Sequence, residues 1–437
     1  MTHRSRSLSV AALARVEGEG AMRVTVDGDR VSAVELNIYE PPRFFEAFLR
    51  GRGHTEPPDL TARICGICPV AYQMSACRAI EAACGVTVDG ALADLRRLLY
   101  CGEWISSHAL HIYLLHAPDF LGYDGAVDMA RDHRALVERG LSLKRAGNQI
   151  MTTVGARAIH PVNVRLGGFY RAPTRAELAE LVEPLRRALD DACATAAWVG
   201  GFEVPDFTHD HELMALVDPG RYAIEAGEPR TDRGLSFPVH DFERHVIEHQ
   251  VPHSTALHAR LADRPGRYLT GPTARYTLNH RWLSPVARQA ATDAGLGADC
   301  RNPFRSIAVR AVELVYAIDE ALRLIEAYEP PDRPAVPVPP RAGVGHGATE
   351  APRGVLFHRY EIADDGTVRT ARIVPPTSQN QAAIEDDLLR FVQQRLDLDD
   401  HRLTHECEQA IRNYDPCISC ATHFLDLTVD RVPEPSS

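Results

Sequence analysis

Two pairs of cysteines stand near opposite ends of the 437-residue chain: Cys65 and Cys68 in Arg63-Ile64-Cys65-Gly66-Ile67-Cys68, and Cys417 and Cys420 in Asp415-Pro416-Cys417-Ile418-Ser419-Cys420-Ala421-Thr422-His423. Two thiols spaced in this way can bite one metal ion, and two such pairs complete a shell of four soft sulfur ligands. Distance along the chain is no obstacle, because folding brings remote segments together. On spacing alone, a structural zinc ion and a redox-active metal are both open readings. The remaining cysteines, Cys77, Cys84, Cys101, Cys193, Cys300 and Cys407, form no CxxC pair and no ferredoxin-like run, so no iron-sulfur cluster is expected within the chain.

Two weaker patterns compete for attention. His245, His249, His253 and His258 have spacing that zinc could use, but no cysteine or HExxH pattern accompanies them, and they read as a solvated helix. The run Gly343-Val344-Gly345-His346-Gly347 approaches a nucleotide loop, yet it follows a Pro-rich connector where a dinucleotide fold needs a hydrophobic strand.

The elements that must carry these residues are mostly helical. Apolar positions at helical spacing predict helices over about Leu60 to Cys84, Leu92 to Leu115, Ala126 to Thr153, Arg175 to Val199 and Ser306 to Tyr328, with a further one from Gln381 to Leu396. Thr174 and Glu177 form a capping-box pattern that marks the start of the fourth. Turn chemistry and β-branched content predict hairpins at Met22 to Asp27 with Val31 to Tyr39, and at Val355 to Ile362 with Thr367 to Val374. Pro330 to Pro340 reads as an extended connector. The expectation is a mainly α (α+β) fold, with a central bundle of long helices and small peripheral β-hairpins. It forms a single interlocked unit over 1–423: a β-rich segment (1–58), a helical core (59–328), the connector (329–342) and a C-terminal hairpin with the second cysteine pair (343–423).

Hydrophobic residues at 45% and charged residues at 24% are ordinary for a globular chain. A net charge of -11 argues against nucleic acid as a partner, since phosphate binding draws on clustered Lys and Arg. No apolar run approaches the roughly 20 residues that span a bilayer, and no apolar segment follows the basic residues at Met1 to Val10. Free cysteines and no secretory signal point to the cytoplasm, with no membrane insertion.

Over essentially its whole length the chain resembles the large subunits of nickel-iron hydrogenases. The resemblance rests on RICGIC and DPCISCATH, and on Arg15-Val16-Glu17-Gly18, His108-Ala109-Leu110-His111, Ala158-Ile159-His160-Pro161 with Gly167-Gly168, and Ala351-Pro352-Arg353-Gly354, all in order. The run Cys68-Pro69-Val70-Ala71-Tyr72 is similar to the cytoplasmic, NADP-coupled, sulfhydrogenase-type branch. The resemblance implies that Cys65 and Cys417 are terminal nickel ligands, while Cys68 and Cys420 bridge nickel to an iron carrying carbon monoxide and cyanide. It implies that Glu17 takes a proton from a bridging cysteine, that Cys420 is among the catalytic residues, and that Arg353 is poised over the open metal site with Asp119 as its partner. Pro352 and Thr377 are implied to line the cofactor, Thr377 by donating a hydrogen bond to a cyanide. Glu46, the backbone of Ile373 and the imidazole of His423 are implied to hold a magnesium ion. His108, His111 and His160 are read as supporting groups. Tyr72 stands where many hydrogenases carry histidine, and its hydroxyl can still donate towards sulfur.

The implied activity is reversible, heterolytic splitting of dihydrogen into protons and electrons. The implied partners are an iron-sulfur small subunit, then flavin/NAD(P) diaphorase and ferredoxin-like subunits, and a maturation endopeptidase that cuts after His423 to remove Phe424–Ser437. A hydrogen-sensing homologue and a non-catalytic metal-site scaffold are the alternatives.

Overall fold

A computed structural model of the chain describes residues 5–39 and 44–422. The predicted N-terminal hairpin is present as β2 (Gly20–Asp27) and β3 (Arg30–Ile38), joined through Gly28 at φ 67°, and it gains a strand, β1 (Ser5–Val10), that the sequence reading lacked. Burial alternates along β2, so Met22, Val24 and Val26 form an inner face. That face packs on two helices from late in the chain, described below, and this contact joins the N-terminal sheet to the segment that leads into the second cysteine pair.

Where a continuous helix was predicted over Leu60 to Cys84, the chain instead folds as α1 (Pro57–Thr61), a 3-10 turn (Ala62–Ile64), an extended stretch holding the first cysteine pair, and α2 (Pro69–Cys84). Pro69 at the first helical position fixes that restart, since it lacks an N–H that the helix interior would need. Then come α3 (Gly90–Leu110), α4 (Arg134–Gly155), α5 (Val182–Gly200) and α6 (Ser306–Glu326). The second predicted helix runs on past α3 as one π-helical segment, His111–His116, just ahead of Pro118; the third is interrupted at His133. The Thr174–Glu177 capping box is formed in both directions, on a short helix (Arg175–Ala179) that precedes α5. The axes of α3 and α4 cross closely because Gly102 and Gly147 face each other: a Cβ on Gly147 would lie 2.5 Å from the Gly102 carbonyl oxygen. Helix α6 is buried nearly all round, and even Arg310 and Glu313 are inside.

The histidine cluster is not on a solvated helix. His249 and His258 lie on the paired strands β4 (Val246–His249) and β5 (His258–Leu261), His253 is in the loop between them, and His245 ends a four-residue helix. The apolar-polar rhythm that looks helical belongs to a hairpin with a long loop. After the connector, β6 (Gly343–Ala351), β7 (Gly354–Ile362) and β8 (Val368–Val374) form an antiparallel sheet. The glycine run is therefore the strand β6. Its glycines let it lie directly on α2, where Cβ atoms at Gly343, Gly345 and Gly347 would come 2.7, 1.9 and 2.5 Å from helix carbonyl oxygens.

Helices α7 (Pro376–Gln393) and α8 (Asp400–Arg412) follow, then a single turn, Ile418–Ala421, inside the second cysteine motif. Ile384, Leu388 and Phe391 of α7 and Leu403 and Ile411 of α8 share one apolar cluster with Val24, Val34 and Leu36 of the N-terminal sheet. No helix among the described residues is long and apolar enough to cross a membrane.

Candidate metal centre

The four cysteines of the two motifs converge. Their sulfurs all lie within 4.8 Å of one another, with Sγ separations of 3.4 Å for Cys65–Cys417, 3.6 Å for Cys68–Cys420 and 2.8 Å for Cys417–Cys420. All four are buried. Burial and the adjoining sulfurs of Cys420, Cys65 and Cys68 push the Cys417 thiol well above its ordinary value. Four sulfurs this close ionise together only if a cation neutralises them, so the donor set fits a soft or borderline metal and little else. The other six cysteines are scattered, and among the described residues no second cysteine cluster forms.

Each pair is held by backbone geometry. The extended Cys65 and the Cys68 that caps α2 leave the amides of Ile67 and Cys68 pointing at Cys65 Sγ, at 3.2 and 3.4 Å. Glu103 on α3 is buried and accepts from the amides of Val70 and Ala71 at 2.6 and 3.1 Å, which pins the first turn of α2 beside the metal motif. Nothing in the sequence marks that mid-helix glutamate as an anchor. On the other side, Thr377 Oγ1 accepts from the Cys417 amide at 3.0 Å.

Glu17 stands against the second pair. Its carbonyl accepts from Ile418 N at 2.9 Å, while its Oε2 accepts from Ser419 N and from Cys417 Sγ, each at 3.1 Å. The sulfur it meets is thus that of Cys417, expected to be terminal, and not one of the expected bridging pair, Cys68 and Cys420. The backbone contact explains this: Glu17 and Cys417 pair as a parallel β-bridge, which sets the carboxylate over the first cysteine of the motif.

Arg353 is buried beside the sulfurs, but its partner is not Asp119. Its Nε and Nη2 donate to the carbonyl and the carboxylate of Asp415 at 2.7 and 2.9 Å, and its Nη1 is buried with no partner. Burial opposes its charge, yet Asp415 and the sulfurs of Cys417, Cys68 and Cys65 more than restore it. Asp415 holds this geometry from a left-handed backbone, φ 50°, a conformation favoured among non-glycine residues by Asp and Asn. The sequence reading assigned Asp415 no role, and only its place two residues before Cys417 hints at one. Asp119 instead accepts from Arg412 Nε and Nη2 at 2.7 and 2.9 Å and pairs with Arg15, so it ties the N-terminal segment to α8. Although burial works against it, these arginines hold its carboxyl below the usual range.

The supporting histidines are distributed differently. His108 Nε2 lies 3.1 Å from the Glu313 carboxylate, His111 Nε2 is 2.9 Å from the Arg412 carbonyl, and His160 Nδ1 is 2.8 Å from the Ala62 carbonyl. Tyr72 is buried, its hydroxyl lacks an ordinary hydrogen-bond partner, and burial with the sulfurs of Cys420, Cys68 and Cys417 pushes its phenol up, which keeps it protonated. The Pro352 carbonyl accepts from Arg275.

Of the residues expected to hold magnesium, Glu46 and Ile373 are adjacent: Glu46 Oε1 accepts from Ile373 N at 2.7 Å. Both line a cavity of about 460 Å³ that reaches Cys420 and Thr422. His423 lies outside the described residues, as does the Phe424–Ser437 tail.

Comparison with known proteins agrees with this geometry. The nickel-dependent hydrogenase family matches residues 43–139 and 307–423, the stretches that contain both cysteine pairs. Sulfhydrogenase 1 subunit alpha of Pyrococcus furiosus is 34% identical over 96% of this chain and 98% of its own, and sulfhydrogenase 2 subunit alpha of the same organism is 33% identical over 94% and 98%. The crystal structure of an NAD+-reducing NiFe-hydrogenase in the dihydrogen-reduced state superposes with a TM-score of 0.87 at 25% identity, covering 96% of this chain and 99% of that one. By its cysteine set, its fold and these relatives, the chain belongs to the nickel-dependent hydrogenases and is a large, catalytic subunit of the nickel-iron kind.

Proposed function

We propose that the four sulfurs hold a nickel-iron pair, with Cys65 and Cys417 on nickel alone and Cys68 and Cys420 shared with an iron that carries carbon monoxide and cyanide, and that the chain splits dihydrogen reversibly and heterolytically. What carries this reading is the convergence of four buried sulfurs on one point, with a carboxylate and a guanidinium held against them. When bound, the pair supplies a polarising, redox-active centre, which zinc, with no accessible redox change, cannot be.

The chain's own residues handle protons and orientation. Glu17 Oε2, in contact with Cys417 Sγ, is placed to take a proton from sulfur and return it in the reverse direction. The unpartnered Nη1 of Arg353 donates into the space beside the sulfurs and orients small polar groups there. Thr377 accepts from the Cys417 amide, so its own hydroxyl proton is available to a cyanide nitrogen, and buried Pro352 forms an apolar wall. Asp119 serves as a positioning residue through Arg412 and Arg15. Glu46 and the backbone of Ile373, which line the cavity, would hold a magnesium ion together with His423.

Electrons leave through an iron-sulfur small subunit and pass to flavin/NAD(P) diaphorase and ferredoxin-like subunits. The lack of a second cysteine cluster among the described residues, the sulfhydrogenase relatives and the NAD+-reducing neighbour all support this route. The assembly is cytoplasmic, and a maturation endopeptidase removes Phe424–Ser437.

Infrared spectroscopy of the purified enzyme tests the centre, since bound carbon monoxide and cyanide give bands that no zinc protein has. In Cys417→Ser, nickel content and dihydrogen oxidation should both fall to background; full nickel content with full activity would refute the assignment. Intact mass of the active chain should end at His423. Dihydrogen-dependent reduction of NAD+ or NADP+ by the complex tests the coupling, and activity with artificial dyes alone would count against it.

A further inference from the structure

We propose that His253, His258 and Glu385 form a second metal site, for a divalent ion of the zinc type, tying the loop between β4 and β5 to α7. Their donor atoms lie within 4.8 Å of one another: His253 Nε2 is 2.7 Å and His258 Nε2 is 3.8 Å from Glu385 Oε1. The bond between His253 and Glu385 accounts for one imidazole. It leaves the other unexplained, because His258 Nε2 is buried and has no hydrogen-bond partner. A buried nitrogen left unsatisfied beside a carboxylate and a second imidazole is what a ligand set looks like without its ion.

The chemistry of the three groups is consistent. Two imidazoles and one carboxylate suit zinc, with the remaining position open to water. The His253 and Glu385 side chains are 22% and 16% exposed, so an ion has a way in, while His258 at 5% forms the floor. Glu385 Oε1 also accepts from Leu36 N at 2.8 Å, which fixes the carboxylate as outer partners fix metal ligands. Burial, with His253 and His249 nearby, holds His258 down at about 3, in the neutral form that binds metal. The donors are harder than the four thiols, so the two sites take their ions by different chemistry.

The position gives the ion a purpose. The loop it anchors is stitched to the N-terminal sheet by Thr255 N donating to the Ile38 carbonyl and by Ser254 Oγ accepting from Ile38 N. The same loop pairs through Ala256 with Thr422, two residues beyond Cys420. Ala256, Ile38, Ile418 and Ala421 pack as one small apolar cluster. An ion on α7 and this loop therefore stiffens the clamp that holds the second cysteine motif in place.

Zinc is the probe. The full chain in its complex is dialysed against micromolar zinc and then metal-free buffer, and zinc and nickel are counted by elemental analysis for the parent, His253→Gln and Glu385→Gln. Glutamine at 253 sits at the rim and keeps a donor towards Glu385, so this variant is expected to fold. The parent should retain on the order of one more zinc per chain than either variant, at unchanged nickel, and X-ray absorption at the zinc edge should show nitrogen and oxygen neighbours only. Equal zinc in all three proteins, or a zinc edge showing sulfur ligands alone, would overturn the proposal and leave His253 and Glu385 as a plain hydrogen-bonded pair.

Discussion

Glu17 makes three contacts with the second cysteine motif, through its carbonyl to Ile418 and through one carboxylate oxygen to both Ser419 N and Cys417 Sγ. Its roles separate by chemistry: an amide in its place can still accept from Ser419 N but cannot take up a proton at neutral pH. Glu17→Gln should therefore keep the fold and its nickel, and lose about 10²- to 10⁴-fold in dihydrogen oxidation, the usual worth of a positioned acid-base group. Rate per bound nickel, together with exchange of dihydrogen against deuterated water, is the measurement. A variant that matches the parent in both would show that protons leave by another group. A variant that loses nickel would show that the carboxylate is part of the scaffold of the motif.

At the scale of elements, the strand β6 shows how close packing replaces side chains. Gly345 lies so near α2 that a Cβ would meet the Ala79 carbonyl at 1.9 Å and the Ala83 amide nitrogen at 2.3 Å, both backbone atoms that cannot swing aside. Gly345→Ala should force the sheet off the helix that carries Cys68 at its start, costing about 1–3 kcal/mol or more by overpacking and lowering metal retention with it. Gly28→Ala is the contrast. Its φ is 67°, but nothing lies within 4 Å, so only the strain of a left-handed residue is felt, about 1 kcal/mol. Thermal unfolding of the two variants should rank them in that order. The glycine run drew notice only as an incomplete nucleotide loop, and its place as a strand was not legible, because a close approach between β6 and α2 is a relation between distant segments. The same limit hid the break at Cys65–Cys68: apolar periodicity continues across it, and only the metal motif and Pro69 interrupt the helix. Motifs with their own chemistry, the cysteine pairs and the Thr174–Glu177 box, were readable residue by residue. Pairings such as Arg353 with Asp415 and Asp119 with Arg412 needed the fold, since charge alone does not say which partner is near.

Over the whole molecule, buried imidazoles set how the protein responds to acid. His209 is held at about 4, and His258 and His358 at about 3, in each case chiefly because burial penalises the charged ring. In the unfolded chain these histidines protonate near 6.5. Above that value both states are neutral, so the three groups contribute no pH dependence from this source. Between about 6.5 and their folded values the unfolded chain binds protons that the folded chain refuses, and stability falls as pH falls, by up to about 1.4 kcal/mol per pH unit for each fully shifted group. The carboxyls held down by arginines act later. Glu313, pushed up by burial but brought down to about 2 by Arg275 and His108, adds a loss only as pH drops through and below the ordinary carboxylate range. The three histidines should therefore leave the unfolding midpoint level from about pH 8 to 7 and lower it from about 6.5 towards 4.5, with a steeper fall below that; Glu350, which burial pushes up to about 7 against the pull of Arg275, takes up its proton in the folded chain first and offsets one histidine's share of that first decline. A midpoint that stayed level down to pH 4.5 would mean that these imidazoles are charged or hydrated in the folded protein.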